Sequence, residues 1–240
     1  MLCLDNLDQE YSDDKGVTWN TTTITRSTVP LRSWPQVSVH GNDFWVADRP
    51  WKGDGSSLSQ VAPSISVLTP PAFGVGFAVC GSVNGYVWVS TDEFATSSNV
   101  NISLGDDVTV CISNGSRVLV VGENNGNVKY TDNGSGWSSA YTLPSFIGGA
   151  ACGAASGNVF VIGTKYNTSS GAVHWVSIDN GATFSLVTLP EIFYVYDIQI
   201  GNGLIVAVGE KNKDAGTPRI YTAPLDDPTN WTQSPTNFTI

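Results

Sequence analysis

The chain has 240 residues, of which 41% are hydrophobic, enough to bury the core of one undivided all-β domain. Its formal net charge is −10 and its 11 Lys and Arg residues form no run, which excludes the basic surface that a nucleic acid requires. No stretch approaches about 18 consecutive apolar residues, and the first residues lack the basic flank and apolar core of a signal peptide, so we expect a soluble chain without membrane insertion.

Near the N terminus, residues 12–19 form the phrase Ser-Asp-Asp-Lys-Gly-Val-Thr-Trp, which returns at residues 177–184 as Ser-Ile-Asp-Asn-Gly-Ala-Thr-Phe. A third copy, at residues 130–137, keeps the Asp, the Gly and the closing Trp, and weaker copies follow the same outline. Repetition at such a spacing indicates a repeat architecture. The anchoring aspartates lie 38 to 47 residues apart and are Asp14, Asp54, Asp92, Asp132, Asp179 and Asp226.

The segment after the first phrase predicts a shortened unit. Only 17 residues separate Val37 from Asp54, against 24 from Val108 to Asp132, so this unit is expected to lose or truncate a strand. Three tryptophans, Trp34, Trp45 and Trp51, fall within it. Flat aromatic faces suit a sugar ring or a partner side chain, which makes these three candidate binding residues; the alternative is that they fill the space left by the missing strand.

The rest of the chain alternates apolar and polar residues with a period of two, which indicates β-strands. Gly-containing turns such as Asn114-Gly115 and Asn202-Gly203 favour tight hairpins between them. First and second strands are predicted at residues 64–68 and 76–81, 107–113 and 116–122, 149–154 and 158–163, and 196–201 and 204–209. Third strands are predicted at residues 86–90, 127–131, 172–177 and 219–223.

The residues that recur in the phrase have a structural explanation. An Asp at the entrance of a short turn accepts hydrogen bonds from backbone N–H groups that have no partner in the sheet. A Gly adopts the positive φ that the turn needs, and the closing aromatic leads into the next strand and is expected to pack between units. The residues expected to serve the turns in this way are Asp14, Asp92, Asp132, Asp179, Asp226, Gly16, Gly134, Gly181, Trp19, Trp137, Phe184 and Trp231.

The phrase resembles the S-x-D-x-G-x-T-W pattern of Asp-box, or BNR-repeat, proteins, a group that includes sialidases, some glycoside hydrolases, sorting receptors and phage proteins. The resemblance covers most of the chain. It implies an all-β fold, a β-propeller of antiparallel blades with Asp-box hairpins, of five to six blades with one truncated, in a single domain over residues 1–240. Residues 1–30 supply a hairpin that either closes the ring as a clasp or leaves that role to another chain.

Cysteines and histidines predict no metal site. Cys3, Cys80, Cys111 and Cys152 lie far apart without C-x-x-C spacing, and the only histidines are His40 and His174. Cys111 and Cys152 fall at matching positions of successive first strands and are interpreted as buried thiols, with a disulfide left open. No cofactor is predicted.

No residue is assigned a catalytic role. The phrase Asp48-Arg49-Pro50 lacks the order that sialidases show near their first arginine, and the carboxylates near strand ends cannot be paired from sequence; these are Glu123, Glu191, Glu210, Asp107 and Asp197.

The first hypothesis is therefore a non-enzymatic propeller that binds or assembles. It would be a virion-surface or tail-associated phage protein that contacts a host glycan or a neighbouring virion subunit, within a larger complex or oligomer at a virion or extracellular location. The alternative is a secreted carbohydrate-active enzyme of the glycoside hydrolase or sialidase type. A third hypothesis, a photosystem-assembly or receptor-type propeller, is disfavoured by the missing basic patch and signal segment.

Overall fold

The structure is a computed structural model of the chain, and it describes residues 2–5, 8–11, 20–23, 37–41, 43–46, 51–53, 59–61, 67–146, 149–164, 173–189, 193–211 and 217–234. These residues form one three-stranded and five four-stranded sheets, and in every sheet consecutive strands pair antiparallel. Their helical content is one short 3-10 turn at Val83–Gly85, and none of their helices is long and apolar enough to cross a membrane.

We call the three-stranded unit the N-terminal sheet and number the four-stranded units blades 1 to 5. The N-terminal sheet contains β1 (Leu2–Asp5), β2 (Asp8–Tyr11) and β3 (Asn20–Thr23). Blade 1 contains β4 (Val37–His40), β5 (Asp43–Val46), β6 (Trp51–Gly53) and β7 (Ser59–Gln60). Blade 2 contains β8 (Ala72–Gly74), β9 (Phe77–Gly81), β10 (Tyr86–Ser90) and β11 (Ser98–Asn101).

The remaining blades repeat this meander. Blade 3 contains β12 (Val108–Ser113), β13 (Val118–Gly122), β14 (Asn127–Thr131) and β15 (Tyr141–Thr142). Blade 4 contains β16 (Ala150–Ser156), β17 (Val159–Thr164), β18 (Val173–Ser177) and β19 (Ser185–Thr188). Blade 5 contains β20 (Phe193–Gly201), β21 (Leu204–Lys211), β22 (Thr217–Pro224) and β23 (Thr232–Gln233).

The blades stack face to face, and the core lies between them. One apolar cluster joins Leu119 and Val121 of blade 3 to Phe160 and Ile162 of blade 4. Similar clusters join blade 2 to blade 3 and blade 4 to blade 5. Because side chains alternate along a strand, the second strand of an inner blade contributes to both neighbours, which explains why every residue of β13 is buried. This is the β-propeller architecture that the sequence predicted.

The expectation of a shortened blade is confirmed, because blade 1 keeps four strands but β6 and β7 are reduced to three and two residues. The first strand of blade 2 lies at Ala72–Gly74, later in the chain than the predicted residues 64–68, of which the structure describes 67 and 68. Here the Leu68 N–H donates to the Gly81 carbonyl at 2.7 Å, and the chain then detours before it pairs again, with Thr69 Oγ1 accepting from the Gly81 N–H.

The two ends of each blade differ. At one end, here called the turn end, the first strand turns into the second and the third into the fourth. At the opposite loop end, the second strand leads to the third and the fourth leads to the next blade. Backbone hydrogen bonds join neighbouring blades at the loop end, for example from the Val108 N–H to the Ser82 carbonyl at 2.9 Å and from the Ala150 N–H to the Glu123 carbonyl at 3.0 Å.

Candidate functional site

The turn between β18 and β19 in blade 4 is closed by its own side chains. Asp179 Oδ1 accepts hydrogen bonds from the Ser177 hydroxyl at 2.7 Å and the Thr183 N–H at 2.9 Å, and Oδ2 accepts from the Thr183 hydroxyl at 2.6 Å. Ser177 Oγ in turn accepts from the Gly181 N–H at 2.8 Å. Partial burial raises the pKa of Asp179, but the hydrogen bonds from Thr183 and Ser177 outweigh it and leave the pKa below its usual value. The ionised carboxylate therefore serves the turn.

Blade 2 repeats this arrangement around Asp92. Its Oδ1 accepts from the Thr96 N–H at 2.8 Å and the Ser90 hydroxyl at 2.9 Å, and these bonds, those from Thr96 first, lower the pKa of Asp92. Phe94 stands where blade 4 has Gly181, and it adopts the same left-handed backbone, with φ of 64° against 79°. A bulky residue in this conformation has a strained backbone, and the burial of the Phe94 ring offsets that strain.

In blade 3 the turn is capped by Asn133, which was not predicted for this role from the sequence. Asn133 Oδ1 accepts hydrogen bonds from the Ser135 N–H at 3.0 Å and the Gly136 N–H at 2.8 Å, while Thr131 Oγ1 accepts from the Gly134 N–H at 2.9 Å. This hydroxyl lies three residues before the glycine, one fewer than in blade 4, so the capping position moves by one residue. Asp132, expected to cap the turn, is displaced from it.

Asp132 instead pairs with Arg117 of the same blade, and Arg117 links blade 3 to blade 4. Arg117 Nε lies 2.6 Å from Asp132 Oδ1 and Nη2 lies 2.7 Å from Oδ2, and the pairing lowers the pKa of Asp132. The same guanidinium donates to the Asn180 carbonyl at 2.8 Å and lies 3.6 Å from the centre of the Tyr130 ring. Asn114 Nδ2 adds a hydrogen bond to Asn180 Oδ1 at 2.8 Å. These contacts fasten the two blades at the turn end.

The last turn also uses a different aspartate from the one expected. Asp227 Oδ1 accepts from the Thr229 hydroxyl at 3.2 Å, and the Asp227 carbonyl accepts from the Asn230 N–H at 3.1 Å, whereas the sequence pointed to Asp226. Asp14, Gly16 and Trp19 lie outside the described residues.

The closing aromatics lie at the seams between blades. Phe184 is buried between blades 3 and 4, with its ring centre 6.1 Å from that of Tyr141. Trp137 packs against the cluster between blades 2 and 3. Trp231 packs against the cluster between blades 4 and 5 and stacks on His174 at 4.7 Å with an interplanar angle of 11°. His174 is fully buried, and neither of its ring nitrogens has a hydrogen-bond partner.

Among the three candidate binding tryptophans, Trp45 lies in the core. It is 0% exposed, its ring centre lies 5.2 Å from Phe73 and 6.2 Å from Phe94, and Lys52 Nζ lies 5.5 Å above it. Lys52 also contacts Glu93 and lies 3.1 Å from Asp43, so it links blade 1 to the turn of blade 2. Trp45 therefore has no surface to offer a ligand in this structure.

Trp34 lies outside the described residues, and for Trp51 only the strand that contains it is described.

Carboxylates gather at the loop end between blades 2 and 3. Asp106 Oδ2 accepts from the backbone N–H groups of Asn124 and, at 3.0 Å, of Asn125. Asp107 Oδ1 accepts from the Asn84 N–H at 2.9 Å, and the Asp107 carbonyl accepts from the Glu123 N–H at 2.8 Å. Of the carboxylates that could not be paired from sequence, Asp107 and Glu123 are thus held in neighbouring loops.

The other two described carboxylates of that group, Asp197 and Glu210, lie in blade 5. Asp197 pairs with Val208, two residues before Glu210, so both carboxylates are on the same face of the blade. Asp197 still meets solvent, yet loss of water around its carboxyl raises its pKa, which hydrogen bonds from Gln199 and the Ile198 N–H partly offset. Glu191 lies outside the described residues.

Cys111 and Cys152, which the sequence analysis interprets as buried thiols, are free thiols; Cys152 is buried and Cys111 is half-buried. Cys80 is also a free, buried thiol, and burial raises its pKa well above the usual value. Within the described ranges, no group of three or more His, Cys, Asp or Glu side chains is placed to hold a metal ion.

The contact between Arg117 and Asp132 was not predicted from the sequence. The pairing of β13 with β14 explains it, because this pairing sets Val118 opposite Thr131 and so brings together the two charged residues that flank them. No comparable signal placed His174 against Trp231, which depends on how two separate blades stack.

No protein-family model matches the chain, and no curated protein matches its sequence. Solved structures do match. A structure described as YCF48 bound to D1 peptide shares 16% identity with a TM-score of 0.59, covering 94% of this chain and 74% of that one. A structure of the Dos1 propeller shares 14% identity with a TM-score of 0.55, covering 82% of this chain and 56% of the other.

A third similar structure, the GH74 enzyme of Niastella koreensis, shares 10% identity with a TM-score of 0.58, covering 95% of this chain and 55% of that one. At these identities the similarity shows the β-propeller fold and nothing finer. The proteins that share it include an enzyme and one with a bound peptide.

Proposed function

We propose that this chain is a non-enzymatic binding and assembly module: an Asp-box propeller of the phage virion type, at a virion surface or tail, that contacts a host glycan or a neighbouring virion subunit. The observation that carries this proposal is the way its carboxylates are used. Asp92 and Asp179 are held by hydrogen bonds of their own turns, and Asp132 is held by Arg117. Their lowered pKa values keep them ionised at neutral pH, where none of them can act as a general acid.

The comparison with the YCF48 structure supports recognition of a protein segment, since that propeller has a bound peptide. The repeated turns support the Asp-box assignment. Because Trp45 is enclosed, the proposed contact surface is the surroundings of Trp34 and Trp51 together with the N-terminal hairpin. Large aromatics suit such a surface, because a few buried Trp side chains commonly contribute most of the binding energy of an interface.

The test combines binding with turnover. The purified chain is applied to an array of sialosides, β-linked glucans and mannans, and its self-association is followed by sedimentation. We expect binding or association that Trp51→Ala weakens while the fold is retained. Asp179→Ala serves as the matched control, because it should lower stability and leave the affinity per folded molecule unchanged. An Asp179→Ala protein that is stable but no longer binds would contradict the structural role of the turn.

The second candidate, a glycoside hydrolase, is favoured by one observation. Asp197, with its raised pKa, shares a face with Glu210, and a general acid paired with a second carboxylate is what hydrolysis of a glycosidic bond requires. The same glycans are therefore assayed for hydrolysis with the wild type, Asp197→Asn and Glu210→Gln. Turnover that disappears in either variant would replace the binding proposal with this one; we expect no turnover.

A further inference from the structure

The chain contains six Asn-Gly pairs, and in each pair the glycine has a positive φ. In this dipeptide an asparagine side chain can react with its own main chain, because glycine has no Cβ to hinder the approach of its nitrogen. The reaction needs a free glycine N–H, which attacks, and a free asparagine carboxamide, which is attacked. The six pairs are Asn84-Gly85, Asn114-Gly115, Asn125-Gly126, Asn133-Gly134, Asn180-Gly181 and Asn202-Gly203.

Three of the six pairs have a glycine N–H that is already engaged. In each of them a hydroxyl oxygen two to four residues earlier accepts a hydrogen bond from the glycine. These bonds run from Gly115 to Ser113 at 2.9 Å, from Gly134 to Thr131 at 2.9 Å and from Gly181 to Ser177 at 2.8 Å.

The asparagine side chains of the same three pairs are also held. Asn114 Nδ2 donates to the Gly157 carbonyl at 2.7 Å and to Asn180 Oδ1 at 2.8 Å, so two of the three carboxamides hold each other across the seam between blades 3 and 4. Asn133 Oδ1 is the cap of its own turn. None of these three pairs can react unless its turn opens.

The pair Asn125-Gly126 is held in a similar way. Asn125 Nδ2 donates to the Leu104 carbonyl at 2.8 Å, and Asn125 Oδ1 accepts from the Asn127 N–H at 2.9 Å. Gly126 is buried against the Phe146 side chain. Both partners of the reaction are therefore fixed.

The pair Asn84-Gly85 shows that burial can protect a turn of the right shape. Its backbone is that of a tight turn, closed by a hydrogen bond from the Tyr86 N–H to the Val83 carbonyl. Gly85, however, is buried, and a Cβ on it would lie 3.0 Å from the backbone nitrogen of Leu104. The Asn84 N–H is bound as well, because it donates to Asp107 Oδ1 at 2.9 Å.

The pair Asn202-Gly203 differs from the other five. It is the tip of the hairpin between β20 and β21, where Gly201 pairs with Leu204, and its φ values of 52° and 75° are those of a two-residue hairpin turn. Both residues are exposed, and a Cβ on Gly203 would meet nothing within 4 Å.

The reacting groups of this pair are free. Among the residues that the structure describes, none forms a hydrogen bond with the Asn202 carboxamide or with the Gly203 N–H. One bond ties the tip to the chain outside its hairpin, from the Leu225 N–H to the Gly203 carbonyl at 2.8 Å. Small local openings of such a tip require little free energy compared with opening a buried turn.

We propose that Asn202 is a site of spontaneous deamidation in the folded protein, and that the contacts that build the blades protect the other five Asn-Gly pairs. The proposal goes beyond the binding function above and does not depend on it.

The reaction at Asn202 consumes only water. Rotation about the Asn202 ψ brings the Gly203 nitrogen to Cγ, the nitrogen loses its proton to base and bonds to Cγ, and the Cγ–Nδ2 bond breaks. The amino group takes up a proton and leaves as ammonia, which closes a succinimide ring. Water then opens the ring at one carbonyl or the other and gives aspartate or isoaspartate, with no change in oxidation state.

Both products change the surface of blade 5. Each places a carboxylate where the native chain has a neutral amide, two residues before Leu204, a side chain that is 45% exposed. Isoaspartate also adds one carbon to the main chain of a two-residue turn. Since loop length fixes the geometry of a hairpin, the pairing of Gly201 with Leu204 should be lost in that product.

The first test compares the six sites within one molecule. The folded protein is kept in mildly alkaline buffer and digested, and the fraction of deamidated peptide at each Asn-Gly pair is followed by mass spectrometry. We expect Asn202 to convert at least about tenfold faster than any of the other five. Another pair that converts as fast as Asn202 would overturn the proposal, and so would an Asn202 that stays unmodified.

The same measurement in concentrated urea serves as the control for the fold. Unfolding frees all six pairs, so we expect their rates to become similar. An Asn202 that keeps its lead in urea would owe that lead to its neighbours in sequence, which would contradict protection by the blades.

The second test identifies the product with a probe enzyme. An isoaspartyl methyltransferase transfers a labelled methyl group from S-adenosylmethionine to the carboxylate of isoaspartate, and we expect label on the aged wild type. Asn202→Gly is the matched variant, because it removes the carboxamide while glycine keeps the positive φ of the turn. Its label should fall to background, with circular dichroism confirming the fold. A folded Asn202→Gly protein that is labelled like the wild type would place the site elsewhere and refute the proposal.

Discussion

At the scale of single residues, the polar side chains Asp92, Asp132 and Asp179 are held by hydrogen bonds or an ion pair. His174 differs from them, because it is buried against Trp231 without a hydrogen bond. Burial lowers the pKa of His174 from 6.5 to about 3, since the charged imidazolium would lose its water without gaining a partner.

This burial predicts that the propeller loses stability in mild acid. A histidine whose folded pKa is below its unfolded pKa binds its proton more readily in the unfolded chain, so stability is complete above pH 6.5 and falls as the pH drops towards 3. Between pH 7 and pH 5, this one residue should remove about 2 kcal/mol from the free energy of unfolding.

Urea unfolding at a series of pH values measures the effect, and His174→Phe is the control that removes it while keeping a flat ring on Trp231. Unchanged pH dependence in His174→Phe would show that His174 does not titrate as the structure implies. The lowered pKa values of Asp92 and Asp179 do not interfere, because those groups lose their contribution only below pH 3.8.

At the scale of the elements, the turns show which features can be predicted from the sequence and which cannot. The repeated phrase correctly located hairpins around Asp92, Asp132 and Asp179, because turn chemistry is local. It misassigned the capping residue in blade 3, because a hydroxyl one residue nearer to the glycine moves the cap from Asp132 to Asn133.

The placement of Trp45 could not be predicted for a different reason. The tryptophans of blade 1 appeared available because the blade is short, yet Trp45 is covered by Phe94, a residue of the neighbouring turn that stands in a glycine position. No local pattern reveals a cover supplied by another blade.

The capping assignment in blade 3 is tested by two neighbouring substitutions. Asn133→Ala removes an acceptor of two backbone N–H groups and should cost about 1 kcal/mol, as the loss of a helix cap does. Asp132→Ala breaks only an exposed ion pair and should cost about 0.5 kcal/mol. Urea unfolding of both variants gives the order; a larger cost for Asp132→Ala would restore the assignment made from sequence.

Phe94 allows a sharper test of the seam between blades 1 and 2. Phe94→Gly relieves the left-handed backbone but empties the space beside Trp45, and since loss of a buried ring outweighs that relief we expect a net loss of about 2 kcal/mol. The tryptophan emission of the variant should shift to longer wavelength relative to the wild type as water reaches Trp45, one of the eight tryptophans of the chain. In blade 4, Gly181→Ala is the converse control, because a Cβ there meets Leu119 Cδ1 at 2.9 Å. A stabilised Phe94→Gly protein would contradict this account.

At the scale of the whole molecule, the fold was predictable because a repeat of about 40 residues admits few architectures. Contacts between blades depend on how closely two blades approach each other, and no local pattern in the sequence shows this. The seam between blades 4 and 5 is an instance: a Cβ at Gly163 would lie 2.9 Å from Ile198 Cδ1 and 3.0 Å from Val195 Cγ1.

Gly163→Val is therefore expected to push blade 5 away from blade 4 while blades 2 and 3 stay intact. Hydrogen exchange should accelerate in β20 to β22 and not in β13. Urea unfolding should become less cooperative, and the free energy of unfolding should fall by about 1 to 3 kcal/mol. Gly201→Ala is the matched control, since its Cβ would meet nothing within 4 Å. Acceleration spread evenly over all blades would contradict a local seam.

The consecutive order of strands within every sheet has a consequence for synthesis. Each blade is complete once its own stretch of chain has left the ribosome, so blades can form one after another at the pace of translation, about 5 to 20 residues per second. Blade 1, however, emerges well before Phe94, the side chain that covers Trp45. During that interval a nascent chain exposes the indole, and a chaperone that recognises exposed aromatic surface has its best opportunity to bind before the turn of blade 2 arrives.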